Sequence, residues 1–464
     1  MQQTSLKREL CLSQVVLFGL AYLTPMIVFG MYGTLAEASH GGVVPSFVIA
    51  LVAMLFTAYS YGNMVKAYPI AGSAYTYTRK TFNGHLGFMV GWALLLDYIF
   101  IPMVIWLIGA LYFGAIFPSV PMWVWIVAFI VLTTIVNILG IHVSNKVNFL
   151  LMLFQFLVIT IFVVLSIHSL LTGIGAATIF SMAPFVSEGS SSQFVLAGAS
   201  IACYSFLGFD AITTFTEETK DPEKTMPKAI MLTALIGGII FIGVSYLSHL
   251  VFPDYTQFKD LATAGNELAS IVGGNLFSSI FLAGLIIAQF TSGLSAQASA
   301  SRLLYAMGRD SVLPKRIFGY ISPKYQTPII TLVIIGIIGL LAIQFDILSA
   351  ASCINFGAFI AFTMVNLAVI VHYFWRNGRR SGSDIIFFLV IPLIGAILSI
   401  LLLFSLDPLA KKYGLVWGSL GFIYLLFLTK GLRQQPPELH FEETESDEKP
   451  LDHSSSTNLD TRWG

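Results

Sequence analysis

The stretch GLAYLTPMIVFGMYG, residues 19–33, places one proline and three glycines inside a single apolar run. Pro25 removes a backbone donor and clashes with the preceding turn of a helix, while glycines accept dihedral angles that other residues avoid. A second stretch, CYSFLGFDAITTF at residues 203–215, carries Gly208 followed closely by Asp210. We expect the helix to be interrupted in both stretches.

The composition surrounding these stretches is that of an integral membrane protein. Of the 464 residues, 56% are apolar and 10% are charged, and the mean hydropathy is +0.83. A soluble domain has about 25% charged residues, because its surface needs polar cover. With a formal net charge of zero, no overall field attracts nucleic acid. The lipid bilayer is therefore a partner, and a cytosolic enzyme, a nucleic-acid binder and a secreted disulfide scaffold are excluded.

Breaking the chain at its polar and Pro/Gly-rich points gives about twelve segments long enough to cross about 30 Å of hydrocarbon as helices. A membrane barrel would alternate apolar and polar residues, which the run LLMLFQFLVITIFVVL at 150–165 does not. The sequence thus predicts an all-α membrane protein. The predicted spans, numbered 1 to 12, are 15–38, 43–66, 85–115, 121–141, 147–171, 194–217, 228–252, 268–305, 327–345, 349–374, 385–405 and 413–432.

The basic residues predict an orientation for these spans. With residues 1–14 in the cytoplasm, 21 of the 24 Lys and Arg residues fall on the inner side, and only Lys259, Lys411 and Lys412 fall outside. Basic residues favour the cytoplasmic side, so we expect both termini inside. The acidic segment 433–464 has few apolar residues and is predicted to be a disordered cytoplasmic tail.

The two interrupted stretches occupy matching places if spans 1–5 and 6–10 are two copies of one unit. The predicted core is then 15–374, with repeats at 15–171 and 194–374 and two further helices at 385–432. Paired interrupted helices indicate a transporter binding site between inverted repeats. The alternative interpretation is that Pro25 only kinks a helix and Gly208 only permits close packing.

A few ionisable residues stand inside the spans. Asp97 lies near the middle of span 3, where a lone carboxylate costs about 3 kcal/mol on insertion scales. It is predicted to receive a substrate amine or a coupling proton; a structural hydrogen bond is the alternative. Asp210 follows the break in span 6 and is placed to orient unwound backbone or to meet an amine. Glu217 and Glu218, at the end of that span, are predicted to form gate or interfacial ion pairs.

Aromatic and hydroxyl side chains accumulate near the same positions. Because an aromatic face attracts an ammonium group, we expect an amine to be caged by Tyr22, Tyr98, Tyr204, Phe206 and Phe209. In span 8, Ser292 and Ser295 offer hydroxyls to a coupling-ion site, or serve helix packing. The sequence shows no phosphate loop, metal-ligand spacing or nucleophile elbow, so we predict no metal, no cofactor and no enzyme.

Several stretches resemble the amino acid–polyamine–organocation permeases. These are EETKDPEKTMPKAI at 217–230 and ASRLLYAMGRDSVLPKRIFGYISPKYQTP at 300–328. GLAYLTPM at 19–26, YPIAGSAYTYTRK at 68–80 and GFMVGWALLLDYIFIPM at 87–103 are most similar to the bacterial putrescine importers. The resemblance runs from about residue 7 to 432 and implies a five-plus-five inverted repeat, discontinuous in spans 1 and 6, with two further helices.

The resemblance also implies a substrate site at the two breaks. A substrate carboxylate would meet the backbone amides of span 1, and the amino end would meet span 6 and Asp97. The residues so implied are Ala21, Tyr22, Thr24, Pro25 and Met26 in span 1, Asp97 and Tyr98 in span 3, and Tyr204, Ser205, Phe206, Gly208, Phe209 and Asp210 in span 6.

The chain departs from the family at two positions. Putrescine importers have an aspartate where this chain has Gly30, which weakens a diamine assignment. Some amino-acid relatives carry a titrating lysine where this chain has Gln155, so proton coupling would need Asp97 or Asp210 instead. The resulting prediction is a secondary transporter in the bacterial inner membrane that imports an amino acid or polyamine by alternating access with protons. The alternatives are an exchanger without proton coupling and a transporter-like membrane sensor.

Overall fold

The computed structural model describes residues 10–69, 74–139, 145–186, 191–309, 311–325 and 327–437, and the side chains of Glu217 and of 145–148 lie outside that description. Regular structure in these ranges is helical, with one isolated β-bridge between Leu10 and Thr219. The helices are α1 Leu12–Leu23, α2 Ile27–Ala38, α3 Val43–Ala67, α4 Ala74–Thr81, α5 Gly84–Ile116, α6 Met122–Ile138, α7 Asn145–Leu171, α8 Ser192–Ala202, α9 Pro222–Val251, α10 Ala264–Arg309, α11 Lys315–Phe318, α12 Ile329–Gly339, α13 Ile347–Val369, α14 Gly382–Ile385, α15 Ile391–Phe404 and α16 Pro408–Leu428.

The helices are those of a multi-pass membrane protein. Within the described ranges, 8 helical segments are long and apolar enough to cross a bilayer, and a ninth crossing results if α1 and α2 count as one bent span. These correspond to predicted spans 1, 2, 3, 5, 6, 7, 8, 10 and 11. Two shorter apolar helices, Met122–Ile138 and Ile329–Ile343, lie where spans 4 and 9 are predicted. Helix α16 lies at span 12, and the total of twelve crossings stays a prediction.

Span 1 is interrupted where its sequence predicts. Helix α1 ends at Leu23 and α2 begins at Ile27, with a bend of 48° between their axes. Thr24 stands between them in the left-handed conformation, with φ 49°. Pro25, which has no N–H, cannot continue the hydrogen bonding of α1. The backbone of Thr24 to Met26 is therefore outside regular helix.

Span 6 is interrupted over a longer stretch. Helix α8 ends at Ala202, and 3₁₀ turns follow at Cys203–Phe206 and Ala211–Glu218. Between them Gly208 has φ +116°, a conformation that strongly favours glycine. The side-chain amide of Asn355 on α13 donates to the carbonyl of Ser200 at 2.7 Å. A neighbouring helix thus supplies a hydrogen bond to the end of α8 beside the break, as unwound backbone in a membrane requires.

Close helix packing fixes these elements around the protein centre. Helix α3 packs along α9, and α13 packs along α5. At Gly357 on α13, an added Cβ would lie 2.3 Å from the carbonyl oxygen of Ala93 on α5, so only glycine permits this approach. Helices α15 and α16 expose large apolar side chains such as Phe404 and Phe427 and lie at the periphery. The broken spans therefore lie inside a packed helical core.

The chain ends extend beyond this core. Residues 1–9 of the predicted N-terminal segment and 438–464 of the predicted tail lie outside the described residues. The described part of the tail, 433–437, follows α16, and its last four residues lie against the α4–α5 junction. The predicted repeat relation between 15–171 and 194–374 stays a prediction.

Candidate functional site

A cavity of about 510 Å³ lies between the two breaks. It is lined by residues from spans 1, 3, 4, 5, 6 and 8, and the two broken spans face each other across it. Twelve of the predicted residues line it: Ala21, Tyr22, Thr24, Asp97, Tyr98, Gln155, Tyr204, Gly208, Asp210, Glu218, Ser292 and Ser295. The structure therefore brings together most of the residues that the sequence placed at the site.

Five predicted residues, Pro25, Met26, Ser205, Phe206 and Phe209, do not line the cavity. Phe206 packs edge-on against Phe241, with 5.2 Å between ring centroids. Phe209 packs edge-on against Tyr61 at 5.9 Å and at a tilt against Phe362 at 5.5 Å. The two phenylalanines do not cage the cavity in this structure because they anchor the span 6 break on neighbouring helices.

The two breaks touch each other. A Cβ added to Gly208 would lie 3.1 Å from the side chain of Tyr22, so the unwound backbone of span 6 packs directly on span 1. The Tyr22 hydroxyl lies 3.2 Å from the Ser299 hydroxyl, and the Thr24 hydroxyl donates to Ser292 Oγ at 3.4 Å. The span 1 break is thereby held between span 6 and α10.

Two aspartates line the cavity between the breaks, and a third carboxylate, Glu218, lies at one end. Asp97 is 8% exposed, and its Oδ1 atom makes no hydrogen bond with any described residue. Asp210 accepts a long hydrogen bond from the Tyr61 hydroxyl, 3.4 Å from its Oδ2 atom. A buried carboxylate without a partner is costly, and such groups are kept where function uses them. The structural hydrogen bond considered for Asp97 is therefore absent at Oδ1 among the described residues.

Several lining residues were not singled out from the sequence: Asn137, Gln289, Thr291, Ser299 and Arg302. Gln289 is 1% exposed and Gln155 is 6% exposed, and each has a buried amide atom without a partner among the described residues. The available signal for Gln289 was a lone amide within the apolar run GLIIAQFTSG at 284–293. Arg302 is exposed toward the cavity and carries its positive charge there.

The cavity has a closed end and an open end. The pairs Tyr22–Ser299 and Thr24–Ser292 show that α1 and α10 run antiparallel, so Gln289 and Arg302 mark opposite ends, about 20 Å apart along α10. Beyond the Gln289 end, Phe29 on α2 packs against Phe162 and Phe281 at 4.7 and 4.9 Å between centroids. The other end is lined by Leu10, Glu218 and Arg302, which we call the mouth.

Backbone pairing joins the two broken spans at the mouth. The Leu10 N–H donates to the Glu218 carbonyl at 3.0 Å, and the Lys220 N–H donates to the Leu10 carbonyl at 2.9 Å. The beginning of span 1 and the end of span 6 are therefore linked at the mouth. Glu217 falls in the same segment, and its side chain lies outside the described residues.

Gly30, where putrescine importers carry aspartate, faces another helix. A Cβ at this position would lie 3.3 Å from Ile108 on α5, and Gly30 does not line the cavity. Because position 30 does not line the cavity in this conformation, the glycine there does not change the charge of the cavity wall. The described part of the chain contains no group of three or more His, Cys, Asp or Glu residues placed to hold a metal ion.

The broken spans, the enclosed cavity and its carboxylates define a membrane permease, and the chain belongs to the amino acid permease family, whose profile matches residues 14–429. The chain is 41% identical to the low-affinity putrescine importer PlaP of Escherichia coli strain K12, over 94% of this chain and 97% of that protein. It is 26% identical to the branched-chain amino acid permease BcaP of Bacillus subtilis, over 92% and 94%, respectively. Cationic amino acid transporter 4 of Mus musculus is 28% identical over 82% of this chain and 62% of that protein.

These comparisons confirm the resemblance found in the sequence. They also confirm that the protein is a transporter and not an enzyme, because these relatives are an importer, a permease and a transporter. The names of these three relatives give putrescine, branched-chain amino acids and cationic amino acids as the molecules that they transport.

Proposed function

We propose that the protein is a secondary active importer of a small cationic amine, with a diamine of the putrescine type as the leading substrate. The observation that carries this proposal is the pair of carboxylates, Asp97 and Asp210, lining one cavity. A diamine has two ammonium groups, and each is best compensated by a negative charge in a site of low dielectric constant. The 41% identity to a putrescine importer supports the same substrate class.

Aromatic residues support a cationic ligand in this cavity. Tyr22, Tyr98 and Tyr204 line it together with the two carboxylates. A tyrosine ring attracts an ammonium group placed over its face. The cavity thus offers both charge compensation and aromatic contact to an alkyl amine.

Alternating access is proposed from the difference between the two ends of the cavity. The end beyond Gln289 is filled by the packed rings of Phe29, Phe162 and Phe281, whereas the mouth is lined by Glu218 and the exposed Arg302. A transporter must exchange such a state for one that is closed at the mouth and open at the other end. The breaks at Thr24 and Gly208 provide the hinges for that exchange.

Orientation and coupling complete the proposal. In the bacterial inner membrane, with twelve spans in a five-plus-five inverted repeat and both termini cytoplasmic, the mouth faces the cytoplasm. An inward proton gradient and the membrane potential then both drive a cation inward. Gln155 cannot titrate, so we assign the coupling proton to Asp97 or Asp210.

An amino acid is the second candidate substrate, and two observations favour it. The positive end of the α2 helix dipole lies beside Thr24 and favours a carboxylate there, and Arg302 supplies a positive charge nearer the mouth. The family also contains amino-acid permeases. An amino-acid exchanger without proton coupling would use the same groups.

The experiment that separates these functions is uptake by protein reconstituted in proteoliposomes. Radiolabelled putrescine, arginine and leucine are compared with and without an imposed pH gradient, acidic outside. We expect putrescine uptake to be saturable and stimulated several-fold by the gradient. Counterflow that is independent of the gradient would instead support an exchanger, and binding without any uptake would support a sensor.

A further inference from the structure

The residues that follow α16 form a defined contact with the α4–α5 junction. The Arg79 guanidinium on α4 donates to the carbonyl oxygens of Pro436, at 3.3 Å, and Pro437, at 3.4 Å. At the beginning of α5, the His85 ring nitrogen Nε2 lies 3.2 Å from the carbonyl oxygen of Gln434. Residues 434–437, which we call the C-terminal clasp, are thus bonded to two successive helices.

The clasp is also packed sterically. Pro436 is buried, although it lies near the end of the described chain. A Cβ added to Gly84 would lie 2.4 Å from Gln435 Oε1 and 3.2 Å from Pro436 Cδ. The absence of a side chain at position 84 therefore permits the clasp to lie close to the first turn of α5.

A short series of contacts connects the clasp to the cavity. Tyr77 stands on α4, two residues before Arg79, and its ring lies 6.1 Å from that of Tyr61 on α3. The Tyr61 hydroxyl donates to Asp210, and its ring packs against Phe209 at the span 6 break. Helix α4 thus contacts the clasp through Arg79, and Tyr77 connects it to the break indirectly, through Tyr61 on α3.

The clasp lies on the side of the membrane where the cavity opens. The bent span formed by α1 and α2 crosses away from Leu10, and α3 crosses back to reach α4. Both α4 and the mouth residue Leu10 are therefore on the same side. A segment bound at that side is positioned to influence the opening of the mouth.

We propose that the surface formed by Arg79, Gly84 and His85 is a docking surface for the chain's own C-terminal segment, and that docking stabilises the mouth-open state. The effect of docking on transport rests on the proposed function. The effect of docking on the equilibrium between the mouth-open and mouth-closed conformations does not. A segment that binds one conformation better than the other shifts the population toward the first.

The test measures exposure of the cavity without measuring transport. In a background in which Cys11, Cys203 and Cys353 are replaced, Ala298→Cys places a reporter thiol on the cavity wall. In sealed vesicles with the mouth on the outer side, a membrane-impermeant maleimide then reports the mouth-open population. We compare the full-length chain with one ending at residue 437, which keeps the clasp, and one ending at 433, which lacks it. The chain ending at 437 should label like the full length, and the chain ending at 433 about fivefold more slowly.

A substitution that leaves the chain length intact provides the second measurement. Gly84→Leu fills the space used by Gln435 and Pro436 and should slow labelling as the shorter truncation does. Gly114→Leu is the matched control, because Gly114 lies on the same helix with no atom within 4 Å of its added Cβ. In the chain ending at 433, Gly84→Leu should have little further effect, because Gln435 and Pro436 are absent and the remaining neighbour is the end of the flexible Arg79 side chain.

The possible outcomes are distinct. Equal labelling of the two truncated chains, faster labelling without the clasp, or equal effects of Gly84→Leu and Gly114→Leu would each overturn the proposal. Uptake of putrescine is measured separately on the full-length chain. If uptake is absent while labelling responds to the clasp, the transport proposal fails and the docking inference stands.

Discussion

The polar residues that line the cavity between the breaks, inward of Glu218 and Arg302 at the mouth, fall into two chemically different groups. The anionic group comprises Asp97 on α5 and Asp210 at the span 6 break, together with tyrosines. The neutral group comprises the Thr24 hydroxyl at the span 1 break, the amides Gln155 and Gln289, and the hydroxyls of α10. The anionic group supplies the negative charge that a cationic ligand needs. The neutral group supplies hydrogen bonds and shapes the rest of the cavity wall. The two breaks therefore have different roles, although both interrupt a membrane helix.

The backbone conformation also differs between the two breaks, and the difference again places negative charge at span 6 and not at span 1. Span 1 resumes as a regular α-helix at Ile27, so the positive end of a helix dipole lies beside Thr24. Span 6 resumes only as a 3₁₀ turn, and a carboxylate, Asp210, precedes it. The first break favours a dipolar or anionic group, and the second favours an ammonium group. Substitutions that change one group and leave the other intact test this difference.

The largest effect is expected at the anionic group. Asp97→Asn keeps the shape of the side chain and removes its charge, and uncompensated burial of one partner of an ion pair costs about 2–5 kcal/mol. Because about 1.4 kcal/mol corresponds to a factor of ten, we expect putrescine uptake to fall by about 100-fold or more. Initial rates of radiolabelled uptake in proteoliposomes measure this loss.

The matched control for Asp97→Asn is Glu37→Gln, which neutralises an exposed carboxylate on α2 outside the cavity. It should leave uptake unchanged. Full activity of Asp97→Asn would contradict the assigned role, and equal losses in both variants would indicate a general effect of charge.

Neutralising the second carboxylate, Asp210, is expected to reduce putrescine uptake less than neutralising Asp97. Asp210→Asn removes one ammonium partner and leaves Asp97, so we expect a loss of about 10–30-fold in putrescine uptake and a smaller loss for a monoamine. Tyr61→Phe removes only the hydroxyl that lies 3.4 Å from Asp210 and should cost about threefold. Equal sensitivity of diamine and monoamine to Asp210→Asn would contradict the assignment of one carboxylate to each ammonium.

The sequence predicted the anionic group better than the neutral group, for a physical reason. Carboxylates and breaks are rare and costly in a membrane, so Asp97, Asp210, Pro25 and Gly208 stood out. Serines and amides are tolerated in packed helices, so Gln289 and Ser299 carried no comparable signal.

Side-chain direction at the breaks was not predictable from the sequence either. Irregular backbone has no fixed period, so the positions of Phe206 and Phe209 relative to the cavity depend on contacts with Phe241 and Phe362. Membrane character and the two interruptions were predicted from local properties. Contacts between distant helices, such as Asn355 with Ser200, required the structure.

A charge introduced into the neutral group tests whether neutrality itself is needed. Gln155→Lys places a cation in the cavity that the carboxylates serve, and we expect repulsion of a cationic substrate to reduce its uptake by about tenfold. Gln155→Leu is the matched neutral control and should cost about twofold to threefold, because it removes an amide without adding charge. Unchanged or increased putrescine uptake by Gln155→Lys would contradict the division into two groups.

The hydrogen bond from Asn355 on α13 to the end of α8 is expected to stabilise the folded protein. Asn355→Leu leaves the carbonyl of Ser200 without its donor, and an unsatisfied buried carbonyl costs about 1–3 kcal/mol. We expect a lower melting temperature and an apparent putrescine affinity reduced by about fivefold, since the break loses its fixed geometry. Thr363→Val on the same helix removes a hydroxyl that bonds only within α13, and it should change neither quantity. If Asn355→Leu melts like the unsubstituted protein, the break does not depend on this contact.

The smallest effect is expected where the neutral group meets the span 1 break. Ser299→Ala removes the hydroxyl that lies 3.2 Å from the Tyr22 hydroxyl, and a single neutral hydrogen bond contributes about 0.5–1.5 kcal/mol. Because Tyr22 is also held by packing against Gly208, we expect putrescine uptake to fall only about twofold, through KM and not through the maximal rate. The double variant Ser299→Ala with Tyr22→Phe should be no worse than Tyr22→Phe alone, since both remove the same hydrogen bond. A loss as large as that of Asp97→Asn would show that the neutral group carries the binding energy, and the contrast between the two groups would then be wrong.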